Sequence, residues 1–164
     1  MIVLVLGGAR SGKSAYAERL AASLPEPVSY VATARVDGDA ELAARVAEHR
    51  ARRPASWTTV ETDHDVPGVL VATTGTVVLD ALGPWMAAAP DFGVDGAALC
   101  NVLTERAGDT VVVSEEVGLG VHPSTAAGQR FRDALGELNQ SVATIADEVV
   151  LVVAGRALRL EPAG

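Results

Sequence analysis

Hydrophobic positions fall into short runs separated by polar, glycine-rich or proline-containing segments. Ile2–Leu6 is a continuous apolar run, the pattern of a strand buried on both faces of a parallel sheet. Further runs of this kind are Val28–Ala32, Trp57–Glu61, Thr76–Asp80, Thr110–Glu115 and Val149–Val153. Between them the period changes from two to 3.6. Lys13–Ser23 carries Tyr16, Ala17, Leu20 and Ala21 on one face, and Ala40–Arg52 carries Leu42, Val46 and His49 along one stripe. Gly96–Ala107 is predicted helical. Within Ser124–Ala146 a long amphipathic helix is predicted from Phe131, Leu135, Leu138, Val142 and Ile145. Ala154-Gly155 turns the chain into Arg156–Leu160, a short antiparallel edge. Strands alternating with helices predict one α/β domain over residues 1–164, with a mostly parallel sheet flanked by helices and that antiparallel C-terminal edge.

Composition narrows the function. The chain has 164 residues, 13 basic against 21 acidic, for a net charge of −8, so a nucleic acid partner is not expected. Its one cysteine, Cys100, excludes an intramolecular disulfide and fits a reducing, cytoplasmic setting. The apolar runs fall short of a membrane span, and no stable membrane insertion is expected. The first six residues read as a strand and not as a signal peptide. Lys13 is the only lysine among the 13 basic residues.

That lysine sits in Gly7-Gly8-Ala9-Arg10-Ser11-Gly12-Lys13-Ser14, a full match to G-x-x-x-x-G-K-[ST]. Glycines let backbone N–H groups curl around an anion, and the following helix points its positive end at the phosphates. Lys13 is the expected catalytic cation on the β- and γ-phosphates, and the Ser14 hydroxyl the expected Mg²⁺ ligand. A second feature of such sites, a Mg²⁺-managing carboxylate, is expected at a strand end. Asp80 is the best placed; Glu115 and Glu116 are the alternatives.

Glu48-His49-Arg50-Ala51-Arg52-Arg53-Pro54 places a histidine beside three arginines. The residues alone leave two uses open. Cations at a helix C-terminus complement its dipole. A neutral imidazole among phosphate-neutralising arginines is also a nucleophile for an α-phosphorus. His64 and His122 lack such neighbours and read as loop residues.

Taken together, these motifs resemble the bifunctional adenosylcobinamide kinase / adenosylcobinamide-phosphate guanylyltransferase family of cobalamin biosynthesis. The resemblance runs from Gly7–Ser14 through Tyr30-Val31-Ala32-Thr33-Ala34, His49–Pro54, Trp57–Glu61, Val78-Leu79-Asp80 and Glu116–Pro123 to Ala146–Val149 and Val152–Gly155. It implies a RecA-like P-loop fold and a homotrimer. It implies two reactions: an NTP, ATP or GTP, phosphorylates adenosylcobinamide, and GTP then guanylylates adenosylcobinamide phosphate, giving adenosylcobinamide-GDP and pyrophosphate. His49 matches the family's guanylylated histidine. By the same resemblance the nucleotide touches Gly7–Ser14, Thr33, Ala34, Arg35, Arg50, Arg52, Arg53, Glu61 and Asp80. A guanylyltransferase without kinase activity, and a plain P-loop kinase that does not use His49, are the alternative activities. The sequence departs from the family pattern at Asp80-Ala81-Leu82-Gly83-Pro84, which lacks a threonine, and at Glu115, where an asparagine is usual.

Overall fold

The computed structural model describes residues 1–34, 44, 46, 47 and 50–163. Among these residues seven strands form one sheet: β1 (Ile2–Gly7), β2 (Val28–Ala32), β3 (Thr58–Glu61), β4 (Thr76–Asp80), β5 (Thr110–Glu115), β6 (Glu148–Val153) and β7 (Arg156–Leu160). Their order is β3-β2-β4-β5-β1-β6-β7, parallel throughout except for the antiparallel β6–β7 pair. The mostly parallel sheet with an antiparallel C-terminal edge is the predicted architecture. Ala154 and Gly155, both at positive φ, make the tight β6–β7 turn.

Alternate residues of the central strands serve two apolar layers. Leu4, Leu6, Val31, Leu79 and Val112 face one side. There they meet α2 (Val66–Ala72), α3 (Leu82–Ala88), α4 (Gly96–Glu105) and α5 (Ala126–Ile145). Val3, Val5, Tyr30, Val78, Val111 and Val113 face the other side, against α1 (Lys13–Ala21). The buried apolar α1 residues are Ala17 and Ala21, whose small side chains let the helix lie close to the sheet, with Tyr16 and Leu20 packed against the same layer. In α5 the predicted stripe is the buried one: Leu135, Leu138 and Val142 are inside, with Phe131 and Ile145 packed at its ends. Phe131 meets Phe92 edge to face at 5.3 Å. Cys100, half-buried on α4, has its thiol pKa pushed up by that burial, as befits an inert packing residue.

Two helices escaped the sequence pattern. Val66-Pro67-Gly68-Val69-Leu70-Val71-Ala72 is rich in β-branched residues and contains both helix breakers, yet it forms α2. Asp65 caps it by accepting from Gly68 N at 2.8 Å, Pro67 lies in the first turn where no N–H is needed, and Val66 and Leu70 are fully buried. Leu82–Ala88 likewise carries Gly83 and Pro84 in its first turn, and becomes α3 because Leu82, Trp85 and Met86 are drawn into the core. The predicted 40–52 helix lies partly outside the described residues; residues 44, 46, 47 and 50–52 are helical.

At the N-terminal ends of the strands, Arg106 ties the sheet to its loops. It donates to the carbonyls of Thr73 (3.1 Å), Gly75 (2.9 Å) and Asp109 (3.1 Å), and to Thr110 Oγ1 (2.6 Å). Charged donors to partly buried carbonyls are the stronger kind of hydrogen bond. Replacing Arg106 by Met strands those carbonyls at the end of the sheet remote from the Gly7–Ser14 loop. The expected loss is about 2–3 kcal/mol in urea unfolding, with phosphate binding unchanged.

Candidate active site

Parallel strands bring their C-terminal ends to one edge, where open α/β sheets bind ligands. The pairing here is specific: Gly7 of β1 stands opposite Glu115 of β5, and Asp80 of β4 is opposite Val113 of β5 and Ala32 of β2. The phosphate-loop glycine, the two strand-end carboxylates and the Thr33 segment therefore share one rim.

The loop between β1 and α1 is shaped by backbone hydrogen bonds, one within it and two from neighbouring turns. Ser11 N donates to Gly8 O (3.3 Å), Gly155 N donates to Ser11 O (2.8 Å), and Glu116 N donates to Gly7 O (3.1 Å). A Cβ on Gly7 would lie 2.7 Å from Val152 O, so only glycine fits there. Gly12 sits at φ +94° in the left-handed region and begins α1 with no side-chain cap. Lys13 N donates to Ser11 Oγ at 3.3 Å, and the dipole of α1 favours an anion at that point.

Lys13 and Ser14 each meet a carboxylate. Lys13 Nζ lies 3.5 Å from Glu115 Oε1 and 3.5 Å from Gly8 O, folded back over its own loop. The other oxygen of Glu115 accepts from Gly83 N at 3.1 Å, which fixes the carboxylate to the start of α3. Ser14 Oγ donates to Asp80 Oδ1 at 3.4 Å. Tyr30 OH donates to Asp80 Oδ2. Tyr30 is only 3% exposed, and burial together with the Asp80 charge pushes its phenol pKa well above the usual range, so it stays a donor. Glu116 turns away: its Oε1 accepts from Gly118 N (2.6 Å) and Leu119 N (3.2 Å) and shapes the next loop. Of the three acidic candidates, Asp80 and Glu115 face the phosphate loop, and Glu116 serves its own turn.

Thr33 lies under the rim. It is 1% exposed, and its hydroxyl both donates to Ala81 O (2.6 Å) and accepts from Ala81 N (2.9 Å), clamping the end of β2 to the end of β4. Ala34 is half-buried beside it, while Arg35 lies outside the described residues. His49 also lies outside them. Its arginine neighbours are placed. Arg53 stacks its guanidinium over the Tyr30 ring at 3.8 Å and donates to Thr59 Oγ1 at 3.2 Å. Arg52 Nε reaches Glu18 Oε2 on α1 at 3.3 Å, and Arg50 pairs with the exposed Glu61 at 3.0 Å. The segment after His49 is thereby anchored to β2, β3 and α1, beside the Asp80 end of the rim. Ala9 and the positive-φ Arg10 form the exposed tip of the phosphate loop. His64 and His122 lie in loops, as predicted.

Sequence reading assigned no role to Tyr30 or Glu18 and left Glu115 as one of three candidate acids. The only signal for Tyr30 was its place in the strand that precedes Thr33; a phenol inside an apolar run reads as core until its partner is known.

This geometry gives the Lys13–Glu115 pair a checkable consequence. The two side chains are mostly buried, 13% and 28% exposed, and Glu115 holds the lysine that an entering phosphate must recruit. An ion pair of this kind is worth about 1 kcal/mol. Glu115→Gln should therefore tighten Mg²⁺-free binding of inorganic tripolyphosphate about fivefold by calorimetry. Unchanged binding would show that the lysine is not held back.

Comparison with known proteins identifies the family. The model of a family described as cobinamide kinase / cobinamide phosphate guanyltransferase matches residues 3–160. A bifunctional adenosylcobalamin biosynthesis protein, CobP of Pseudomonas aeruginosa, is 42% identical over 96% of this chain and 96% of its own length. A bifunctional adenosylcobalamin biosynthesis protein, CobU of Salmonella typhimurium, is 36% identical over 98% of this chain and all of its own. Among solved structures, a prototypical ATPase from the type III secretion system of pathogenic bacteria aligns with 92% of this chain and 50% of its own, at TM-score 0.53 and 14% identity. The type III secretion ATPase EscN of enteropathogenic E. coli aligns with 93% of this chain and 43% of its own, at TM-score 0.54 and 15% identity. Those two share the fold alone. On the full-length match of sequence and family model, the chain belongs to the cobinamide kinase / cobinamide phosphate guanyltransferase family.

Proposed function

We propose that the protein carries out both reactions of its family on one nucleotide site. In the first, the hydroxyl oxygen of adenosylcobinamide attacks the γ-phosphorus of ATP or GTP. The bond to the β-phosphate oxygen breaks, the nucleoside diphosphate leaves and the hydroxyl proton is lost to a base. In the second, a ring nitrogen of His49 attacks the α-phosphorus of GTP and expels pyrophosphate. A phosphate oxygen of adenosylcobinamide phosphate then displaces the imidazole, giving adenosylcobinamide-GDP.

The observation that carries this reading is the shared rim on a chain of this family. The Gly7–Ser14 backbone cradle, Lys13, Asp80 and Glu115 stand together, and the Arg50–Arg53 segment following His49 is anchored at the same end. The loop amides and the dipole of α1 hold the phosphate chain. Lys13 leaves Glu115 to neutralise charge that develops on the β- and γ-oxygens in either transfer. The arginines hold the segment that follows His49 at the rim. Ser14 Oγ and Asp80 Oδ1, hard oxygens 3.4 Å apart, fit Mg²⁺, which commonly takes only one or two protein oxygens beside phosphate and water. Bound there with the nucleotide, it would supply charge neutralisation at the bridging phosphate oxygens.

Homotrimeric assembly and a cytoplasmic location are part of the same proposal. The family resemblance supports the first, to be read by analytical ultracentrifugation. The single cysteine supports the second. No helix among the described residues is long and apolar enough to cross a membrane.

Incubation with Mg²⁺ and α-labelled GTP, beside a His49→Ala variant, tests the transferase half. The expected result is label that survives denaturation, is acid-labile and base-stable, and is absent from the variant. GTP binding without label would overturn the His49 assignment and leave a plain P-loop kinase. Nucleotidylation of adenosylcobinamide phosphate with no phosphorylation of adenosylcobinamide would leave a guanylyltransferase alone.

A further inference from the structure

Tyr30 has no part in either reaction as written, yet its phenol is spent on a carboxylate of the site. It projects from the centre of β2, is 3% exposed, and donates its hydroxyl to Asp80 Oδ2. The opposite oxygen, Oδ1, is the one that meets Ser14 Oγ. A carboxylate on a freely turning bond presents either oxygen; a buried phenol donor on one of them leaves the other facing outward. The phenol is itself held. Its ring belongs to the same apolar layer as Val78 and Val113, and the Arg53 guanidinium lies over its face at 3.8 Å. Arg53 in turn donates to Thr59 on β3. A chain of contacts thus runs from the arginine segment through one aromatic ring to the Asp80 carboxylate, whose other oxygen meets Ser14.

We infer that Tyr30 is the positioning residue of Asp80: its hydrogen bond fixes Oδ1 toward Ser14 and so sets the Mg²⁺ requirement for tight nucleotide binding. The inference rests on the reading of Asp80 and Ser14 as the Mg²⁺-handling pair. Donors behind a metal-binding carboxylate commonly tune metal affinity by ten- to a hundredfold. The loop amides and Lys13 bind phosphate without this carboxylate, so nucleotide affinity in the absence of Mg²⁺ does not depend on the phenol.

Tyr30→Phe keeps the ring, its packing and the face under Arg53, and removes only the hydroxyl. Binding of a fluorescent GDP is measured in EDTA and then across a Mg²⁺ titration, for wild type, Tyr30→Phe and Asp80→Asn. The expected result is wild-type affinity for Tyr30→Phe in EDTA, with about a tenfold rise in the Mg²⁺ concentration that gives half of the Mg²⁺-dependent tightening. Loss of affinity in EDTA as well would mark a structural role and overturn the inference. If Asp80→Asn moves the titration and Tyr30→Phe does not, Tyr30 fails and the Mg²⁺ reading stands. If Asp80→Asn also leaves it unmoved, the Mg²⁺ reading fails and takes the inference with it. A readout that leaves Tyr30 intact guards against a variant that does not fold. The chain has two tyrosines, Tyr16 and Tyr30, so a Tyr16→Phe protein labelled with ¹³Cζ-tyrosine gives one phenol resonance. That resonance should shift when Mg²⁺ is added to the GDP complex, and a resonance that stays in place overturns the inference.

Discussion

Pairing of β1 with β5 and of β5 with β4 determines how far each acidic side chain stands from the phosphate loop. Gly7 is level with Glu115, and Asp80 is level with Val113, two residues earlier on β5. This stagger gives the two carboxylates different partners: Glu115 meets the lysine of the loop, and Asp80 meets the serine one residue further along. In a sheet buried on both faces, a slip of one residue would exchange the apolar layers on either side. The core therefore enforces the stagger. Leu79 and Val112 face α2–α5, and Val78 and Val113 face α1, so packing free energy fixes the positions of charges that contribute little to stability themselves.

The phosphate loop is held by its own backbone and by two neighbouring turns. Its carbonyls at Gly7, Gly8 and Ser11 accept from Glu116, Ser11 and Gly155, and its lysine is folded onto Gly8 and Glu115. Its left-handed glycine starts α1, whose dipole favours an anion at that end. The loop is preorganised at the backbone and rearranges at one side chain. Such a division keeps reorganisation small when phosphate enters, the condition under which fixed dipoles stabilise charge in a transition state.

The arginine segment is held differently, by side chains reaching to three elements. Arg52 to Glu18, Arg53 to Tyr30 and Thr59, and Arg50 to Glu61 span α1, β2 and β3. The Arg50–Glu61 pair is exposed on both sides, and such pairs are weak. Arg53 is tied where the ring it covers is buried. The firmest attachment of the segment thus leads directly to the Asp80 carboxylate. This connects the two proposed chemistries, phosphoryl and guanylyl transfer, through one packed side chain.

The amino-acid sequence by itself determined the strands, the long α5 stripe, the antiparallel edge and the phosphate loop with Lys13 and Ser14. Each is written in local periodicity or in a contiguous motif, where the physical cause lies within a few residues. It did not determine α2 and α3, because their Pro and Gly residues contradict helix propensity. Burial of Val66, Leu70, Leu82 and Trp85, a contact made across the fold, outweighs that propensity. The sequence put Asp80 first but could not separate Glu115 from Glu116, which stand side by side at the end of β5; only register and side-chain direction separate the one that faces the loop from the one that shapes its own turn. Thr33 and Tyr30 show the same limit from the other side. One sits in a segment matched to nucleotide contact and is a buried clamp, the other sits in a hydrophobic strand and reaches a site carboxylate. Hydrogen-bond partners fifty residues apart in the chain are a property of the packed sheet, and tertiary structure alone decided them.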